Sequence, residues 1–198
     1  MYNEQELARC QAKRAPYEII SIICEDSKSS PGYFKEIIKY FRLNTANVDI
    51  VPSKGSAPIT VVDHAIEIAK KKTYDLVFCV FDRDEHESFA RAVNKLESQS
   101  NYKAIISTPS FEIWLLLHFG FTAKCYSNEN LISDLKKKLP SYNKNQASWF
   151  KHLIDKLDIA IKNAKQLQKE NHKTHSDNPA TNVHELIEYL RTLNIRNT

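Results

Sequence analysis

Glycine is scarce: the 198 residues hold only Gly32, Gly55 and Gly120. A P-loop and a G-x-G-x-x-G turn both need closely spaced glycines so that backbone can approach phosphate. The chain carries neither signature, and any ATP in its biology is expected to be bound by a partner. The four cysteines, Cys10, Cys24, Cys79 and Cys125, form no C-x-x-C, which argues against a zinc site. Cys24 and Cys79 fall inside apolar runs, where a free thiol behaves as a small hydrophobe; this suits a reducing cytoplasm. No run approaches the ~18 apolar residues of a membrane span. The first six residues are polar, unlike a signal peptide. Strong charge is also missing. The formal net charge of +4 permits nucleic-acid binding without demanding it. Lys70–Lys72, Lys136–Lys138 and the lysines from Lys144 to Lys173 read as solvated helix faces.

What the chain does have is two apolar runs that each end in acids. Tyr17 to Cys24 leads into Glu25-Asp26, and Leu76 to Phe81 leads into Asp82-Arg83-Asp84-Glu85. Short β-rich runs of this kind read as buried strands. In an open α/β sheet, functional groups gather where strands end. Asp82 and Asp84, two apart in an extended segment, project the same way. With Glu25 on a neighbouring strand they would place three carboxylates in one crevice. Such carboxylates repel each other unless a cation sits among them, and all-oxygen donors favour Mg²⁺ or Mn²⁺. The pattern points to metal-dependent phosphoryl transfer.

Periodicity predicts strands at 17–24, 48–51, 75–81 and 102–107. Helices are predicted near 32–43, 58–72 and 85–98, after a polar, helical lead-in at 1–16. This alternation predicts an α/β fold with a mostly parallel sheet and helices on both faces. After Pro109 the stretch Ser110 to Phe119 is apolar nearly all round and reads as a buried helix with Gly120 as its C-cap. Helices near 127–138, 146–170 and 181–193 complete the chain, and 171–180 reads as a loop. A soft boundary near 120 separates a sheet-based part, 1–120, from a helical part, 121–198, packed on it; the two also fit one single domain.

Each candidate has a plainer reading. Glu25 fits a metal ligand, an exposed loop acid, or an acid favoured by a helix dipole. Asp84 also suits a helix N-cap. Glu112 stands in an apolar helix, where a carboxylate needs a partner or a cation; it reads as an orienting group, as half of a buried ion pair, or as a partly exposed edge residue. His118 reads as a satisfied structural imidazole. Lys144 reads as a phosphate contact or an exposed loop lysine. His172 and His175 have H-x-x-H spacing but read as solvated loop residues.

From about Tyr17 to Leu190 the chain resembles the RloB family. The resemblance rests on Cys24-Glu25 with Tyr33-Phe34, then Val80-Phe81-Asp82-Arg83-Asp84-Glu85-His86, then Ser107 through Phe119. Tyr142-Asn143-Lys144, Ala160 through Ala164 and Asn178 through Leu186 extend it. It implies a Toprim-like sheet in which Glu25, Asp82 and Asp84 bind Mg²⁺ (or Mn²⁺) and nucleic acid, RNA or DNA, is the substrate. It further implies an effector of prokaryotic antiphage or abortive-infection defence partnered with an ATPase. The family commonly reads C-E-G-x-x-T-E, whereas Asp26 replaces the glycine here and Ser30 the second glutamate. Asp26 is placed to compensate. The lost acid motivates an alternative, a non-catalytic adaptor subunit of an ATPase-containing defence complex. Self-association is compatible with either reading.

Overall fold

The computed structural model describes residues 18–83, 87–145 and 149–195. The expected lead-in helix at 1–16, Cys10 and the stretch Asp84-Glu85-His86 lie outside the described residues. Five strands form one sheet: β1 Ile20–Cys24, β2 Val48–Pro52, β3 Leu76–Asp82, β4 Tyr102–Thr108 and β5 Ala180–Thr181. Their order is β2-β1-β3-β4-β5. The first four run parallel, and β5 pairs antiparallel with the end of β4. Every residue of β1 is buried, as expected for a β-branched strand covered on both faces.

Alternation along the strands divides the core in two. Ile20, Ile22, Cys24, Phe78 and Val80 face one side; Ile23, Val77, Cys79 and Phe81 face the other. The second side is covered by α2 (Pro58–Ala69) through Val61, Val62 and Ala65, and by α3 (Phe89–Glu97) through Ala92 and Leu96. The first is covered by α1 (Ser29–Tyr40), with Tyr33, Phe34 and Ile37 at helical spacing. It continues into α4 (Glu112–Leu117), α5 (Asn128–Lys138), α6 (Leu157–Thr174) and α7 (Val183–Ile195). This larger core joins residues on both sides of position 120, from Ile22 to Leu190. The structure is thus mixed α/β, a mostly parallel sheet flanked by seven α-helices among the described residues. None of the described helices is long and apolar enough to cross a membrane.

Several boundaries differ from the sequence reading. The helix read from 146 is two 3₁₀ turns, Phe150–His152 and Ile154–Lys156, before α6 begins at Leu157. Trp149, Phe150, Leu153 and Leu157 are all buried, so these turns present the same apolar side as a continuous helix. The loop read at 171–180 is shorter, because α6 runs to Thr174 and His175 caps it in the left-handed conformation. The same stretch then supplies β5. The buried helix after Pro109 ends with His118 as its C-cap, two residues before the expected Gly120.

Candidate active site

The strand order sets the location. From β1 the chain moves outward to β2, then crosses back to β3 on the other flank of β1. The carboxyl ends of β1 and β3 therefore border a topological switch point, where open α/β sheets bind their ligands. Glu25 immediately follows β1, and Asp82 closes β3. The Glu25 amide donates to Val80 O at 2.8 Å, which extends the strand pairing by one step. Its carboxylate Oε2 accepts the Asp82 backbone N–H at 2.8 Å. Glu25 is thereby fixed beside the residue that carries the second carboxylate.

Asp82 is half-buried. Desolvation pushes its carboxyl well above the usual range, and the charges of Glu25 and Glu112 push it further, with Lys144 opposing. This mutual repulsion is what a cation bound among hard oxygen donors would relieve. Glu25 and Asp82 are the described residues that suit such an ion. Asp84, the third expected ligand, lies outside the described residues. Among the described residues no three Asp, Glu, His or Cys side chains group tightly enough to hold a metal ion.

Asp26 is tied to the turn that follows it. Its Oδ1 accepts the Lys28 N–H at 2.6 Å. Its Oδ2 takes the Ser30 N–H at 3.1 Å and the hydroxyls of Ser29 and Ser30 at 3.0 and 2.8 Å. Asp26 thus ties the turn that starts α1, satisfying donors that a helix end leaves open. Ser30 belongs to this turn.

A second group stands opposite. Glu112 opens α4 and is 1% exposed. Its Oε2 accepts from the Ser110 hydroxyl at 2.6 Å. Its Oε1 accepts from the Tyr142 hydroxyl at 2.6 Å and pairs with Lys144 Nζ at 2.9 Å. Burial opposes its ionisation, but these hydrogen bonds and the Lys144 charge outweigh that and hold the carboxyl below its ordinary value. Lys144 responds in kind. Desolvation works against its charge, yet Glu112 first and then Asp82 and Asp26 raise its pKa. Glu112 is therefore a buried anchor that orients a half-exposed ammonium toward the acids. In the same loop Asn145 Oδ1 accepts from Lys28 Nζ at 2.6 Å, which joins this loop to the turn before α1.

A family model described as RloB-like protein matches residues 20–190. The chain belongs to the RloB-like family. No curated protein and no solved structure matches it. In this RloB-like chain the structure brings together Glu25, Asp82, Glu112 and Lys144 of the five residues singled out from sequence. His118 is the satisfied core imidazole expected: its Nδ1 lies 3.0 Å from Trp114 O and its Nε2 3.3 Å from the Tyr33 hydroxyl. Two partners escaped the sequence reading, Ser110 and Tyr142. A lone acid in an apolar helix signals that partners exist, but only the fold brings residues 110 and 142 to the same carboxylate.

Proposed function

We propose that this protein is a metal-dependent nuclease of Toprim type. The observation that carries the proposal is the Glu25 carboxylate accepting the Asp82 backbone N–H at 2.8 Å across the β1/β3 switch point. This bond sets two carboxylates side by side at the sheet edge where ligands bind. Asp82 is the candidate ligand, and Asp84 would join it. Glu25 is a second ligand or the general base that takes a proton from the attacking nucleophile. Lys144, anchored by Glu112 and Tyr142, is placed to meet a phosphate oxygen as a point charge. A bound Mg²⁺ or Mn²⁺ would add neutralisation of the charge that builds on the phosphate during displacement. The role as effector of an antiphage, abortive-infection system, working with an ATPase partner, rests on the RloB-like family resemblance.

The test is cleavage of cellular RNA, plasmid DNA and single strands with Mg²⁺, Mn²⁺ or EDTA, comparing wild type with Asp82→Ala. Metal-dependent products that fall at least ~100-fold in the variant are expected. Undiminished metal-dependent cleavage by Asp82→Ala would overturn the assignment.

One observation favours a second reading. Asp26 accepts four hydrogen bonds in the turn that starts α1, and Ser30 stands where the family resemblance implies a second acid. A non-catalytic adaptor docked on an ATPase needs no metal at Asp82. Divalent metal would then leave the melting temperature of the wild type unmoved, whereas the nuclease reading expects a rise that Asp82→Ala abolishes.

A further inference from the structure

A cleft of about 550 Å³ opens beside β4 and β5, lined by Arg83, Phe89, Ile106, Gln168, His172 and His175 among others. It begins one residue from Asp82. Phe78 and Val80 of β3 face one core, and Phe81 faces the other. By the same alternation Asp82 continues the first face and Arg83 the second. The carboxylate and the cleft thus lie on either side of one strand end. A strand draped over the carboxyl edge of the sheet would meet both.

The chemistry of the lining narrows the ligand. Among the described lining residues Arg83 is the one guanidinium, and Asp177 pairs with it at 2.7 Å. The cleft is therefore not built as an anion hole. Arg83 lies over the Phe89 ring at 5.4 Å, which forms a flat wall, and Ile106 adds apolar surface. Asn171 donates its amide nitrogen to Pro179 O, and the Asn182 amide accepts from Ile106 N and donates to Ala104 O. Gln168, His172 and His175 also line the cleft and are exposed; they carry both donors and acceptors. A flat wall with hydrogen-bonding side chains around it suits a planar aromatic with polar edges, as when a splayed base stacks on Arg or an aromatic and is read at its edge. The volume falls within the range of small-ligand sites.

We propose that this cleft holds a nucleobase of the substrate strand, the one next to the phosphate presented to Glu25 and Asp82. The inference rests on the nuclease reading for its biological sense, but it is tested without catalysis. The four nucleoside 5′-monophosphates and inorganic phosphate are titrated calorimetrically, without divalent metal, into wild type, Gln168→Ala and Phe89→Leu. Gln168 is exposed, and Leu keeps the packing of Phe89 on Phe81, so the fold is retained. At least one monophosphate is expected to bind, with phosphate alone about tenfold weaker or worse. Gln168→Ala and Phe89→Leu should each weaken binding about tenfold. No saturation up to ~10 mM nucleotide, equal binding of phosphate alone, or affinity indifferent to both cleft variants would overturn the proposal. Nucleotide binding in the cleft without metal-dependent cleavage of any polymer would count against the nuclease reading and leave the cleft standing.

Discussion

At Asp82 a carboxylate is held against Glu25 and Glu112 by the sheet, in a half-buried position. Asp82→Asn keeps the shape and removes that repulsion. In EDTA it is expected to melt a few °C higher than wild type, about 1 kcal/mol, while losing metal-dependent cleavage; a scanning melt paired with a cleavage assay checks both. Glu112 behaves in the opposite way. Glu112→Ala strands the Tyr142 hydroxyl and the Lys144 ammonium, so a loss of about 3 kcal/mol in urea unfolding is expected. Lys144→Met should also destabilise, because it leaves the buried Glu112 carboxylate without its cation, held only by the Ser110 and Tyr142 hydroxyls. His118 gives the pH dependence. Burial holds its imidazole down at about 4, against ~6.5 in an unfolded chain. Between these values the unfolded state binds more protons. Stability should therefore fall as pH drops from ~6.5 towards 4, by at most about 1.4 kcal/mol per pH unit. Urea unfolding across that window should show a shallower slope for His118→Gln. At this scale the acids were legible because charge stands out after an apolar run. The ties of Asp26 were not, because Lys28-Ser29-Ser30 has no pattern that distinguishes a helix start from a metal loop.

Among the elements, β5 is the one that sequence periodicity could not reveal. Two residues have no period to read, and the pairing is completed by a side chain. The Asn182 amide accepts the Ile106 N–H at 2.7 Å and donates to Ala104 O at 3.0 Å, and so acts as a further rung beside β4. Asn182→Ala would leave both backbone groups unpaired. A cost of about 2 kcal/mol is expected, with faster amide exchange at Ile106 than at Phe78 of the central β3. Exchange at Ile106 unchanged from wild type would contradict this role. The strands β1 to β4 were legible for the converse reason: buried parallel strands are continuous apolar runs. The stretch before α6 was misread because turns of either winding bring Phe150, Leu153 and Leu157 to one side.

For the molecule as a whole, the two faces of the sheet are unequal. One carries α2 and α3; the other carries α1 and the helices α4 to α7. All six residues of α4 are buried, among them Trp114 and Leu115 with no exposed surface. Residues 18–120 produced alone would uncover that helix. The expected outcome is an aggregating or molten fragment, read by dye binding to apolar surface and loss of near-ultraviolet dichroism. A monomeric, cooperatively melting fragment would show that the sheet part folds by itself. The alternation of strands and helices made the sheet layer readable, but which face later helices would choose depends on contacts far apart along the chain.

The pairing of Ser107 with Thr181 spans 74 residues. A ribosome adding about 5–20 residues per second takes roughly 4–15 s to cover that distance. During this interval the strands bearing Glu25 and Asp82 are already out, while the wall supplied by α6 and β5 is still to come. A nascent chain therefore passes through a stage with the acids in place and the cleft unbuilt, so full grip on a substrate strand arrives only after synthesis has moved well beyond the acids.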